Sequence, residues 1–132
     1  MSDNWSQWAK FVLDTCASHC KAVSLVDTNF TSVWNPNYGL VIDADQLKSL
    51  SQAFVKDAFP SGIRVNNVKF MFVKKVEDDV SMYIQMGGDE ESRDKILVVK
   101  GKSYAIVNQL PPKGNTTTVI DTCRDVFTKL VI

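Results

Sequence analysis

Three tryptophans carry the strongest chemical signal in the chain. Trp5 and Trp8 stand about one helical turn apart near its start, and Trp34 closes the strand-like segment Thr31-Ser32-Val33-Trp34. An indole offers a flat apolar face and one N–H donor, so the chemistry on offer is noncovalent: ring faces for stacking, and donors for a partner with bare carbonyls. Two indoles in the first turns of a terminal helix, where ends fray, imply that this end is docked on the body or receives a ligand. The plainer reading is a staple that fastens the first helix to the last, and joint exposure of the three rings separates the two.

Covalent chemistry is poorly provided for. His19 is the only histidine, and no serine or cysteine motif with a base partner surrounds it. The spacing of Cys16, His19, Cys20 and Cys123 matches no zinc finger or knuckle. No phosphate-binding glycine loop or metal-binding carboxylate cluster occurs, and the acids that follow Gly87-Gly88 would repel phosphate. We therefore expect no catalytic residue, no metal and no cofactor. Three cysteines make no disulfide framework and read as free thiols in a reducing compartment.

These side chains must be positioned by a small body. The chain has 132 residues, 45% of them apolar, which suits one domain with one core. Fifteen basic residues balance fifteen acidic ones, so no global field draws in nucleic acid or an anionic membrane, and any charged partner must meet a local patch. The opening Met1-Ser2-Asp3-Asn4 is unlike a signal peptide, and no apolar run approaches the roughly 18 residues of a membrane span. A cytoplasmic monomer is expected.

Along the chain, Asp3 or Asn4 can cap a helix carrying Trp5, Trp8, Phe11 and Val12 to about Ser18-His19. A hairpin of residues 21–26 and 31–34 follows, with Asp27-Thr28-Asn29 as its turn. Asp43 and Gln46 have capping-box spacing before a helix with Leu47, Leu50, Phe54 and Ala58 inward, stopped by Pro60 and Gly62. The pattern then switches to period two over 63–65, 68–73, 80–86, 96–99 and 104–107, an antiparallel meander. After Pro111-Pro112-Lys113-Gly114, Asn115 or a neighbouring threonine caps a last helix with Val119, Ile120, Cys123, Phe127, Leu130 and Val131. The outline is an α+β domain over residues 1–132 with about seven strands.

A first helix with Trp-x-x-Trp, then Ser32-Val33-Trp34, a strand reading Val68-Lys69-Phe70-Met71-Phe72-Val73-Lys74, the next with Ser81-Met82-Tyr83, and a closing amphipathic helix together resemble the profilin family. The order and spacing carry the resemblance, which covers essentially the whole chain. It implies a central antiparallel β-sheet with the N- and C-terminal helices packed together on one face and a further helix on the other. It also implies a non-enzymatic regulator of actin polymerisation at the cytoskeleton, with two binding surfaces. One is a polyproline-binding trough matched here by Trp5, Trp8, Trp34, Val126, Phe127 and Ile132. A polyproline II segment is preformed and presents ring faces and bare carbonyls, which suits indoles. Profilins commonly end in an aromatic residue with His or Tyr one turn earlier, where this chain has Ile132 and Val126. Binding of proline-rich proteins is therefore expected to be weak, on the order of 100 μM or about −5.5 kcal/mol.

The other implied surface meets monomeric actin, and its matching positions are Phe59, Lys69, Met71, Phe72, Lys74, Asp79, Gln85, Thr117, Thr118, Asp121 and Thr122. The family usually keeps further basic residues near Gln85 and Gly87, whereas this chain has Asp89-Glu90-Glu91, which lowers the expected actin affinity. The alternative is a proline-rich peptide-binding module on the same fold with weak or lost actin affinity. Phosphoinositide lipids are a further partner of profilins, with Lys74, Lys75, Arg93 and Lys95 as the candidate cations. If the resemblance fails, a scaffold subunit with its tryptophans at an oligomer interface remains.

Overall fold

The computed structural model describes residues 4–55 and 62–131. Helix α1 (Asn4–Cys16) ends in a tight turn over Ala17–His19 and leads into β1 (Ala22–Asp27). A long loop reaches α2 (Ala44–Ser49), which tightens into a 3-10 turn over Leu50–Phe54. Strands β2 (Ile63–Val65), β3 (Val68–Glu77), β4 (Val80–Gln85), β5 (Lys95–Lys100) and β6 (Tyr104–Leu110) follow, then α3 (Thr116–Lys129). All neighbours are antiparallel in the order β1-β6-β5-β4-β3-β2, so β2 to β6 form the meander and β1 is added outside β6.

Both sheet faces are covered, which explains why β5 and β6 read as apolar runs while β3 alternates. On one face, Ala9 and Val12 of α1 and Val119, Ile120 and Cys123 of α3 pack on Val23, Leu25, Leu97, Val99 and Ile106. On the other, Leu47 and Leu50 join Phe30, Phe70, Tyr83, Ile96, Val98 and Val107. Asn115 caps α3 as expected, its side-chain oxygen accepting the Thr118 N–H at 3.2 Å. Asn66 and Asn67 both have positive φ, 52° and 62°, the twist that a two-residue hairpin requires and that asparagine tolerates. All three cysteines are buried free thiols.

Two local expectations are corrected. The sheet has six strands among the described residues, because residues 31–34 form only a single bridge, Val26 to Val33, instead of a strand. The reason lies in polar side chains that take over the edge of β1. The Asn35 amide accepts the Leu25 N–H at 2.8 Å and donates to Val23 O at 2.9 Å and Asn37 O at 2.8 Å. Trp34 N–H and Tyr38 O satisfy the neighbouring Leu25 O and Val23 N–H. The edge groups that a strand would pair are thus already bonded. Upstream, the Asp27 carboxylate accepts from Thr31 N, Thr31 Oγ1 and Ser32 N, and Phe30, at φ 57°, buries its ring in the second core.

The capping box at α2 is the other correction. Asp43 stands at the N-cap but its side chain makes no capping bond, and Gln46 Oε1 instead accepts the Arg64 N–H at 2.8 Å, stitching α2 to β2. Leu47 and Leu50 are buried as expected and Phe54 stacks on Phe30 at 6.0 Å, whereas Ala58 and Pro60 lie outside the described residues.

Candidate binding surfaces

Helices α1 and α3 lie side by side and antiparallel. At one end His19 Nδ1 accepts the Asn115 N–H at 3.0 Å, and at the other the start of α1 meets the end of α3 over Tyr104. That second end gathers the aromatic residues. Trp5 and Trp34 approach with ring centroids 4.6 Å apart and tilted by 47°. Both lean on Tyr104, at 6.5 and 6.0 Å, and Phe127 meets Tyr104 edge-on at 5.1 Å. Trp5, Trp34 and Phe127 are half-buried: they pack on the core and keep part of each ring in solvent.

Tyr104 is the support of this cluster and was not among the expected site residues. It is 3% exposed, and its hydroxyl donates to Leu130 O at 2.7 Å and Val126 O at 3.4 Å, fixing the end of α3. Burial, together with the nearby Cys123, pushes its pKa up to about 12, so the phenol stays a neutral donor at ordinary pH. The available signal was an aromatic residue heading a strand directly after the turn containing Gly101.

The remaining trough positions separate. Trp8 is half-buried beside Phe11, 5.7 Å away, and Phe11 in turn lies under the Lys129 ammonium at 5.0 Å. Aromatic rings therefore continue along the α1–α3 seam. Val126 is wholly buried, so its side chain offers packing and no contact surface. Ile132 lies outside the described residues.

On the second surface, strand register sorts the side chains. Met71 is opposite Ile84 and Lys74 opposite Met82, and Met82 packs on the core beneath α1 and α3. Lys69, Met71 and Lys74 therefore share the face that carries α3. Met71 and the neighbouring Val73 are 47% and 43% exposed, an apolar strip beside exposed lysines. Thr117 and Asp121 are exposed on α3, while Thr118 is half-buried.

Several expected positions do not join them. Phe72 is opposite Tyr83 and packs on the α2 side of the sheet, edge-on to that ring at 5.5 Å. Gln85 uses its carbonyl to accept the Asp94 N–H at 3.1 Å, closing the acidic loop. Thr122 is buried and donates to Thr118 O at 2.8 Å. Asp79 is held by Arg124 at 3.1 Å, which also reaches Glu77 at 2.9 Å and ties α3 to the β3–β4 turn. Arg124 was missed, although it follows Thr117 and Asp121 at helical spacing. Phe59 lies outside the described residues. The four cations considered for lipid do not converge. Lys74 and Lys75 face opposite sides of β3, and Arg93 donates to Gly87 O and Gly88 O within its own loop.

Comparison with known proteins agrees with this geometry. The profilin family model matches residues 4–131. Among solved structures, Acanthamoeba castellanii profilin IB superposes with a TM-score of 0.71 at 15% identity over 96% of both chains. LokiProfilin1 from a complex with rabbit actin gives 0.69 at 10% identity over 98% of both. Mouse profilin IIa, bound to a double repeat from the FH1 domain of mDia1, gives 0.67 at 11% identity over 95% of this chain and 97% of that one. No curated protein sequence matches the chain.

Proposed function

The chain belongs to the profilin family, and from that premise we propose that it is a non-enzymatic regulator of actin assembly in the cytoplasm, binding an actin monomer on one surface and a proline-rich segment on another. The observation that carries the reading is the Trp5–Trp34 pair, half-exposed and held on Tyr104 beside Phe127. A staple would need no solvent-facing indoles. Rings fixed in this way lose little freedom on binding, and a preformed polyproline helix loses little of its own. The relatives found in complexes with actin and with an FH1 repeat support the two kinds of partner. No helix among the described residues is long and apolar enough to cross a membrane.

The actin surface on this reading consists of Lys69, Met71 and Lys74 with Thr117 and Asp121. A second reading, a proline-rich peptide module with weak or no actin affinity, is favoured by the inward turn of Phe72 and Thr122 and by the loop hydrogen bond that occupies Gln85. Phosphoinositide is left out of the proposal because its candidate cations are dispersed.

Two titrations test this. Anisotropy with purified monomeric actin, at low salt and near physiological ionic strength, should saturate. Tryptophan emission should respond to a polyproline peptide. A peptide response without actin binding selects the module, and silence in both overturns the proposal.

A further inference from the structure

A cavity of about 830 Å³ opens beyond the trough, within the range of roughly 300–1,000 Å³ typical of ligand sites. It lies between the β3–β4 turn, the β5–β6 turn and the end of α3. Its apolar walls are Phe54, Phe127, Leu130 and Val131. Tyr104 also lines it, so the ring series Trp5, Trp34, Tyr104, Phe127 runs from the trough to the cavity wall. The chemistry changes along the way. Lys100 ends β5, Lys102 stands on the β5–β6 turn, and Asp78 and Asp79 stand on the β3–β4 turn. Lys100 Nζ is poised 5.5 Å over the Phe54 ring, and Lys102 is exposed. Asp79 is already paired with Arg124, which leaves Asp78 as the one carboxylate among the described lining residues without that tie, against the two amines.

This lining is wrong for more proline. A proline run has no N–H for Asp78 and no anion for the lysines. A flank of ordinary residues has both. We propose that the cavity is a second subsite for the same ligand, taking the segment where the prolines stop, and that it selects a flank with an apolar side chain followed by a carboxylate. The apolar group sits between Phe54 and Phe127, the carboxylate meets Lys100 and Lys102, and backbone N–H groups face Asp78. The inference rests on the trough reading and adds specificity to it: the trough accepts any proline run, and the cavity distinguishes among the flanks.

The test compares three peptides by tryptophan emission and calorimetry: ten prolines alone, the same run with Phe-Glu added at its C-terminus, and the run with Glu-Phe at its N-terminus. One flanked peptide should bind at least about threefold tighter than the bare run, and the gain should shrink as salt rises from about 50 to about 200 mM. Lys102→Glu, at an exposed position, should abolish the gain and leave bare-run affinity unchanged. A Phe-Gln flank should keep the apolar part of the gain and lose its salt dependence. Equal affinity for all three peptides, or a gain indifferent to Lys102→Glu, overturns the subsite while the trough stands. Failure of every peptide to bind overturns both.

Discussion

At the scale of single residues, the trough depends on a few rings whose positions are fixed from below. Trp5 touches both Trp34 and Tyr104, so its removal takes away a stacking face and the neighbour that orients Trp34. Trp5→Ala should weaken polyproline binding at least about tenfold, or 1.4 kcal/mol, with the circular dichroism of the fold retained. Unchanged affinity in a fluorescence or calorimetric titration would remove Trp5 from the site. Tyr83 makes an opposite prediction. Its hydroxyl is fully buried and has no hydrogen-bond partner among the described residues, and burial raises its pKa to about 12. An unpaired buried hydroxyl costs roughly 1–3 kcal/mol, while a phenyl ring keeps the packing against Phe72. Tyr83→Phe should leave stability unchanged or raise it by about 1 kcal/mol in urea unfolding, and a loss above about 1 kcal/mol would mean that the hydroxyl has a role this geometry does not provide.

At the scale of elements, the loop from β1 to α2 shows how side chains can replace a strand. Asn35 is buried, and its three hydrogen bonds hold the edge of β1 and the chain that presents Trp34. Asn35→Ala should cost roughly 2–4 kcal/mol, since Leu25 N–H and Val23 O lose their partners, and it should also weaken peptide binding by loosening Trp34. Ser32→Ala, at an exposed position whose backbone N–H alone bonds Asp27, should stay within about 0.5 kcal/mol. Equal effects would show that the amide does not carry the loop. Asp27 contributes a pH dependence. Burial pushes its carboxyl up but is outweighed by donors from Thr31 and Ser32, leaving the pKa below its ordinary value. The stabilisation is present above the unfolded pKa of about 3.9 and fades as pH falls through the lower folded value, so the loop holds across neutral pH.

The same element explains what could be read in advance. The meander was legible because its strands alternate or run apolar between asparagine, glycine and acidic turns, and α3 because Asn115 precedes its apolar stripe. The strand expected at 31–34 failed because a distant edge was satisfied by Asn35, and no local pattern reports that. That Trp5, Trp34 and Phe127 gather at one place was legible from residue type and resemblance. Tyr104 was missed because the register of β6 against β1, which no local pattern reports, carries it beneath the start of α1. Met71 and Phe72 could have been separated from sequence alone, since adjacent strand residues face opposite sides.

For the whole molecule, the question is whether the two proposed binding surfaces on one small body act on each other. On the proposed reading their common element is α3, with Phe127 assigned to the trough and the exposed Thr117 and Asp121 to the other surface. The helix is pinned at its start by Asn115 and His19, at its middle by Arg124 to Glu77 and Asp79, and at its end by Tyr104. Buried side chains hold its inner face against a sheet covered on both sides. Coupling needs an element with two arrangements whose balance each ligand shifts, and a helix fixed at three points on a packed core offers none. A saturating polyproline peptide should therefore change the affinity for monomeric actin by less than about twofold, or 0.4 kcal/mol, when the actin titration is repeated in its presence. A larger change in either direction would identify α3 as a moving part, and Arg124→Ala, which frees its middle, should then alter the size of that change. On the proposed function, independent surfaces make tethering alone the gain from joining both partners: a proline-rich segment would hold the monomer near its own attachment point and raise the local concentration there.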